Sequence, residues 1–454
     1  LQILNKDLLL ARREGALRRA REIVLNALES AIYSVDSYSS TRKSIKLEKE
    51  LSIVNSRWNP SKGEIHVVGA GKAGAKMALA VEDSLGDLIR SGVVNVLRGT
   101  ERTVRTRRIE LIPAGHPLPD SGSIEGARRI LRLAEKLGKD DLLLVLISGG
   151  GSAIMELPQE GISLDDLIKM NKLLISCGAD IREINTVRKH VSRVKGGRLA
   201  KVTKAKVVSL IISDVIGDPL DFIASGPTSP DSTTFRDAMD VIEKYDLRDK
   251  MPPSIMEVLS KGVRGEIEET PKPGDEVFER VDNYIIANNR IAVRSMANYI
   301  EGIGIRTVDI GSRIKGEARD SGSVMASIAR SIDAGESSIS KPVAIIGGGE
   351  TTVTLRGQGK GGRNQEFVLS ALKEISDCNC CIASIGTDGI DGNSDAAGAI
   401  ADGRSLEEGI KMGMNPDRYL KENNSYEFFS RLGDLIFTGP TMTNVTDIFV
   451  ILII

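Results

Sequence analysis

The 454-residue chain is poor in aromatics, with one Trp, seven Tyr and eight Phe, and none sits in the pattern that stacks RNA bases. It has no charge surplus: 61 Lys and Arg stand against 62 Asp and Glu. A dedicated nucleic-acid binder or a polybasic membrane-surface protein carries a basic excess, so neither is expected. No apolar run reaches the roughly 20 residues of a membrane span. The closing IFVILII is too short for one and reads as a buried last strand. Histidines number three and cysteines four, with Cys378, Cys380 and Cys381 crowded together and no second cluster at zinc spacing. Structural zinc is therefore not expected, and reduced buried thiols of a cytoplasmic protein are. The opening residues show no charged leader, apolar core and cleavage site, which again makes the cytoplasm the expected compartment. The chain has no G-x-x-x-x-G-K-[ST] phosphate loop, no G-x-S-x-G nucleophile elbow and no protein-kinase signature set.

Glycine is what the chain has, 46 in all, and it gathers at the ends of apolar runs. The length exceeds one ordinary core, so two domains are expected. A polar, proline-bearing stretch from Lys261 to Val277 reads as the linker, dividing 1–270 from 271–454, with DNYIIANNR opening the second domain as a βαβ unit. The first residues, to about 35, carry apolar positions at helical spacing, and the charges of ARREGALRRARE are assigned to the polar face.

Four glycine loops carry the chemistry. In EIHVVGAGKAG, a strand from Glu64 to Val68 precedes Gly69, Gly71 and Gly74, which satisfy G-x-G-x-x-G, and a helix is expected from Gly71. The acidic residue that a dinucleotide site places after the second strand is absent, since VVNVL ends in Arg98. Lys72 sits inside the loop instead, suited to a phosphate or carboxylate. The strand DLLLVLI ends in Ser148, Gly149, Gly150, Gly151 and Ser152, whose serines read as hydrogen-bond donors. VVSLIISD places Asp214 at a strand's carboxyl end, where a carboxylate serves as general base or magnesium ligand. The fourth segment, Ile345–Leu372, holds Gly347, Gly348 and Gly349 after a strand, then TTVTL as a second strand or hairpin arm. GQGKGG follows, with Lys360 and Gly361, before a helix starting near Arg363 and Asn364. Free N–H groups and two cations there suit a phosphate. Further on, Asp388 and Asp391 in TDGIDG are candidate metal ligands, without the spacing of a calcium loop. His116 lies in the proline-rich loop AGHPLPD, either touching substrate or fixing local structure. The basic run Arg188, Lys189, Arg193, Lys195 and Arg198 reads as a solvated face, with one or two members open to turning toward an anion because the run ends in Gly196 and Gly197.

Taken together, these segments resemble the class II glycerate kinases, whose C-terminal half is the MOFRL domain. The match rests on VVGAGKAG, AGHPLPD, ISGGGSA, NTVRKHVSRVKGG and ISDVIGDPLDFIASGPT. In the second half it rests on GGGETTVTLRGQGKGGRNQE, TDGIDG and TGPTMTNVTD, all in the family's order. The resemblance implies an α/β protein of two α/β domains, the first Rossmann-like with a mostly parallel sheet, and an active site in the cleft between them. It implies ATP-dependent phosphorylation of D-glycerate, usually at the 2-hydroxyl, with ATP and Mg2+ required. It implies catalytic roles for Lys72, Asp214 and Arg363. The substrate would then meet Gly71, Ser148, Gly149, Gly150 and Ser152. The nucleotide would meet Gly348, Gly349, Lys360, Gly361 and Asn364, and the metal Asp214, Asp388 or Asp391. A homodimer is carried as the candidate assembly. The family has also carried a hydroxypyruvate reductase label, so an NAD(P)-dependent reductase is the alternative, resting on the G-x-G-x-x-G match; a non-catalytic glycerate- or sugar-acid-binding module is a third reading.

Overall fold

The structure is a computed structural model and describes residues 2–454. The chain forms two compact units: Ser37–Ile286, and the residues up to Asp36 together with Ala287–Ile454. The expected division at 270/271 therefore differs at both ends. The N-terminal helices belong to the second unit, and the Lys261–Val277 stretch lies inside the first. There Glu269 Oε1 accepts from Phe235 N at 2.7 Å, and Thr270 Oγ1 donates to Asp231 Oδ2 at 3.0 Å.

The Ser37–Ile286 unit begins with a small antiparallel sheet of β1 (Ile45–Leu47), β2 (Leu51–Ile53) and β3 (Ser56–Trp58). Its main sheet has six strands: β4 (Ile65–Gly71), β5 (Ile89–Leu97), β6 (Ile109–Ala114), β7 (Leu142–Ile147), β8 (Lys206–Ile212) and β9 (Val281–Ala287). The spatial order is β6-β5-β4-β7-β8-β9, and the pairs from β6 through β8 are parallel. This is the doubly wound order, reversing direction between β4 and β7. Both strands at that reversal are buried along their whole length. Such strands read as continuous apolar runs because helices cover both faces. Burying each Leu, Ile or Val of LLLVLI contributes roughly 1.5–3 kcal/mol. Strand β9 corrects the sequence reading: DNYIIA closes this first sheet instead of opening the second domain.

The other unit holds β10 (Arg306–Asp309), β11 (Val343–Gly349), β12 (Cys380–Gly386), β13 (Gly398–Asp402), β14 (Leu435–Ile436) and β15 (Asp447–Ile453), in the order β10-β11-β15-β12-β13-β14. The closing apolar run is β15, fully buried and antiparallel to both β11 and β12. Its first residue, Asp447, stands opposite Gly349 on one side and Gly386 on the other. TTVTL is not a strand; it makes one isolated bridge, Thr352 to Glu317.

The N-terminal segment forms two helices, Lys6–Ala11 and Gly15–Ser34, and its basic residues are not all on a polar face. Arg21 is completely buried. Its Nε donates to Asp402 Oδ2 at 2.6 Å, and its Nη1 and Nη2 donate to Asp434 at 2.7 and 3.0 Å. Arg13 joins them, 2.7 Å from Asp402. The basic run near 190 is likewise not a solvated face. Lys189 lies 3.3 Å from both Asp221 and Asp231, and Lys195 pairs with buried Glu156. Amphipathic spacing cannot reveal a buried charge whose partner lies far away in sequence.

Candidate active site

The carboxyl ends of β4, β7 and β8 gather one set of predicted residues at the reversal of strand order, where open α/β sheets bind ligands. Strand β4 extends through the glycine loop to Gly71, so the following helix starts at Gly74, later than expected. Lys72 lies in the intervening turn, its N–H donating to Gly149 O at 2.9 Å. Ser148 fastens the same turn from the other side: its Oγ accepts from Ala73 N at 3.1 Å, and its N–H donates to Ala70 O at 3.0 Å. A side chain on Gly71 would collide with Ser148.

The 148–152 loop is a floor with side chains laid across it. A side chain on Gly149 would run into the Asp214 carboxylate. A Cβ on Gly150, where φ is +78°, would stand 2.9 Å from His116 Cδ2 and 3.2 Å from Lys72 Cγ. Lys72, Asp214, His116 and the triple glycine are thus brought together, the Lys72 stem and the Asp214 carboxylate beside neighbouring glycines. Burial pushes the His116 imidazole down to about 4, and Lys72 beside it adds to the shift, so the ring is neutral near pH 7.

The two loop serines have structural partners. Ser148 holds Ala73, while Ser152 Oγ lies 2.8 Å from Ser225 Oγ, which donates to Asn185 Oδ1 at 3.0 Å. Ser225 and its neighbour Ala224 have φ of +58° and +51°. Left-handed backbone at two successive non-glycine residues costs on the order of 1–3 kcal/mol each and persists only where surroundings enforce it. Here Gly196 N and Gly197 N donate to the Ser225 and Gly226 carbonyls at 2.9 and 2.7 Å. The sequence shows no signal for this turn, because Ala and Ser at left-handed positions look ordinary.

In the other unit, the carboxyl ends of β11 and β12 flank the start of β15, and the Arg363–Ile375 helix opens beside them. The Arg363 guanidinium lies across Asp447, with Nε 2.6 Å from Oδ2 and Nη2 3.1 Å from Oδ1, and Nη1 reaches Glu350 at 2.8 Å. Burial opposes the Arg363 charge, but Asp447 and Glu350 outweigh it and raise its pKa. Burial lifts the Asp447 carboxyl to about 7 against the pull of Arg363 and Asn364. Asp447 and Glu350 are partners of Arg363 that the sequence reading missed. The available signals were an acidic residue opening a fully apolar strand and another directly after a triple glycine.

Several expected ligand contacts are occupied inside this unit. Asn364 N and Nδ2 donate to Asp391 Oδ1 at 3.0 and 3.1 Å, Nδ2 also reaches Asp447 Oδ1 at 3.0 Å, and Asn364 Oδ1 accepts from Ser384 at 2.6 Å. Asp391 also accepts from Gln365 N at 2.9 Å, so its buried carboxylate closes the helix N-terminus instead of facing a metal. Gly361 N donates to Asn393 Oδ1 at 2.9 Å. Gly348 N donates to Gly311 O at 2.9 Å, and side chains at Gly348 and Gly349 would collide with Asn289 and Ile314. These positions build the loop. Lys360 stays at its surface, 2.8 Å from Asp395 and 3.7 Å above the Tyr426 ring. Asp388 is half-buried at the end of β12, with Oδ1 accepting from Ile390 N at 3.1 Å. Among the described residues no three His, Cys, Asp or Glu side chains cluster as a metal cage.

Two family models match, one described as a domain of unknown function (DUF4147) over residues 23–260 and the other as the MOFRL family over 343–447. A glycerate 2-kinase of Pyrococcus horikoshii is 43% identical over 434 residues, covering 95% of this chain and 97% of that one. The chain belongs to the glycerate kinase family. The crystal structure of a Thermotoga maritima glycerate kinase matches with a TM-score of 0.85 at 38% identity, over 94% of this chain and 98% of the other. A relative from Agrobacterium vitis, 40% identical over 96% of this chain and 94% of its own length, carries the provisional name hydroxypyruvate reductase. Within this glycerate kinase family member, the residue following β5 is Arg98, paired with Asp120, where a dinucleotide site would hold a ribose with a carboxylate. Gly69 leaves no room for a side chain against the backbone of Leu146, so sheet packing accounts for that member of the glycine pattern.

Proposed function

We propose that this protein transfers the γ-phosphoryl group of ATP to the 2-hydroxyl of D-glycerate, releasing ADP and 2-phosphoglycerate. The observation that carries the proposal is the placement of Lys72 and Asp214 over Gly150 and Gly149 at the reversal of strand order. A small hydroxy acid needs one cation for its carboxylate and one carboxylate for the hydroxyl proton, a few ångströms apart. Lys72 and the 148–152 loop hold the substrate carboxylate. Asp214 orients the 2-hydroxyl and accepts its proton as the new O–P bond forms and the bond between the γ-phosphorus and the leaving ADP oxygen breaks. Arg363 and Lys360, at the glycine loop of the other unit, are the cations suited to phosphate, and Asp447 and Glu350 hold the Arg363 guanidinium.

Mg2+ belongs to the proposal. A carboxylate oxygen, at Asp214 or at Asp388, suits a hard cation that completes its shell with phosphates and water. When bound, it would neutralise phosphate charge. Asp391 is left out of the set because the helix N-terminus uses its carboxylate. A cytoplasmic setting and a homodimeric assembly are also part of the proposal; the former is supported by four free cysteines. Light scattering of the purified protein tests the latter.

The test is ADP release with ATP and Mg2+ on addition of D-glycerate, run beside NADH oxidation with hydroxypyruvate. Glycerate-dependent ADP release with no NADH oxidation supports the kinase. NADH oxidation without ADP release overturns it in favour of the reductase.

A further inference from the structure

The pair of Lys72 and Asp214 accounts for two of the three functional groups of glycerate, its carboxylate and its 2-hydroxyl. The 3-hydroxyl is left over. His116 stands at the same floor. Its Nε2 would lie 3.2 Å, and its Cδ2 2.9 Å, from a Cβ built on Gly150, with Lys72 Cγ 3.2 Å from that same point. The ring is only partly covered and makes no hydrogen bond among the described residues. The loop that carries it is fixed. Pro119 is buried, and Asp120 caps the Ser121–Glu135 helix, accepting from Ser123 N at 3.0 Å, while Arg98 clamps Asp120 from outside. An imidazole held in place without an internal partner has its hydrogen-bonding capacity available to a ligand on the floor. With its pKa pushed down by burial and by Lys72, the ring is an uncharged donor and acceptor near neutral pH, which matches a neutral hydroxyl better than a carboxylate.

We infer that His116 is a specificity-determining residue that hydrogen-bonds the 3-hydroxyl of the acceptor, so that the site selects a 2,3-dihydroxy acid over the same acid lacking the terminal hydroxyl. This rests on the acceptor reading given above. A site built to bond a hydroxyl discriminates strongly against an analogue without it, because its polar group is then left unpaired.

The experiment crosses enzyme with acceptor. Wild type, His116→Ala and His116→Gln are assayed with D-glycerate and with D-lactate, which keeps the carboxylate and 2-hydroxyl and lacks the 3-hydroxyl. Acceptor binding to each variant is measured in parallel by calorimetry, so slow turnover of D-lactate does not hide the comparison. The expected result is that H116A lowers kcat/KM for D-glycerate about 10- to 100-fold, mainly through KM, while D-lactate changes by no more than about twofold and the KM for ATP is unmoved. H116Q, whose amide can still bond a hydroxyl, should recover part of the loss. An equal loss on both acceptors, or no loss on D-glycerate, overturns the inference. A wild-type enzyme that phosphorylates neither acceptor overturns the acceptor reading itself, an outcome distinct from an undiscriminating H116A.

Discussion

Replacing Arg21 by Met asks whether the N-terminal helices are integral to the unit containing residues 287–454. Arg21, Asp402 and Asp434 have side chains with no exposure to solvent, and burial opposes the Arg21 charge while Asp434 and Asp402 hold its pKa raised. In Arg21→Met, Asp402 keeps Arg13 at 2.7 Å and Arg404 N at 3.0 Å. Asp434 fares worse, keeping Arg12 Nε at 3.6 Å and Ser405 Oγ at 3.4 Å among the described residues. Breaking a buried ion pair from one side costs about 3–5 kcal/mol; the surviving Arg13 contact argues for the lower end, about 3 kcal/mol. In a unit of roughly 200 residues each kcal/mol moves the midpoint by about 2–4 °C, so scanning calorimetry should show a fall of about 6–12 °C in that unit's transition. Arg21→Met with Asp434→Leu removes the stranded carboxylate and should regain most of the loss. A shift under about 2 °C for the single variant, or a double variant as unstable as the single, would show that Arg21 does not tie the N-terminal helices to this unit.

Other expected outcomes concern the chemistry. Lys72→Ala and Asp214→Asn should each lower kcat/KM by roughly 100-fold or more with unfolding midpoints unchanged, checked by steady-state kinetics and calorimetry. Gly149→Ala should be comparably inactive, because its methyl would displace the Asp214 carboxylate; activity within about threefold of wild type would remove Asp214 from that position. Asp447 has a folded-state pKa of about 7, above the unfolded value, so its contribution is fully present below about pH 4 and is lost as pH rises through 7. The stability of wild type relative to Asp447→Asn should therefore decline from pH 4 to pH 8, measured by chemical denaturation across that range. Treatment with EDTA should abolish turnover and added Mg2+ should restore it; full activity after exhaustive chelation would exclude the metal.

What could be read from the sequence was local. Strands β4 and β7 are buried on both faces, so HVV and LLLVLI declare themselves, and the glycines, Lys72 and Ser148 follow at their ends. Ser163 with Asp166, and Asp120 with Ser123, form capping boxes, a signal carried by residues three apart. Nonlocal features could not be read. IFVILII has the same composition whether it pairs parallel or antiparallel, so its central antiparallel place between β11 and β12 was invisible, and Asp447's role with it. DNYIIA followed by a helix looks like the start of a βαβ unit whichever sheet the strand joins. Arg21 and Lys195 look like surface charges until their partners, Asp402, Asp434 and Glu156, are brought to them. Asn364 and Gly361 occur in a segment typical of phosphate loops, yet Asp391 and Asn393 use the groups that a phosphate would have met.

The identity of the product decides whether Asp214 faces the 2-hydroxyl. Purified protein is incubated with D-glycerate, ATP and Mg2+, and phosphorus NMR follows the new phosphate ester. The expected product is 2-phosphoglycerate in equal amount to ADP. A 3-phosphoglycerate product would contradict the placement of the 2-hydroxyl at Asp214, and ATP left intact with glycerate unmodified would contradict the kinase assignment.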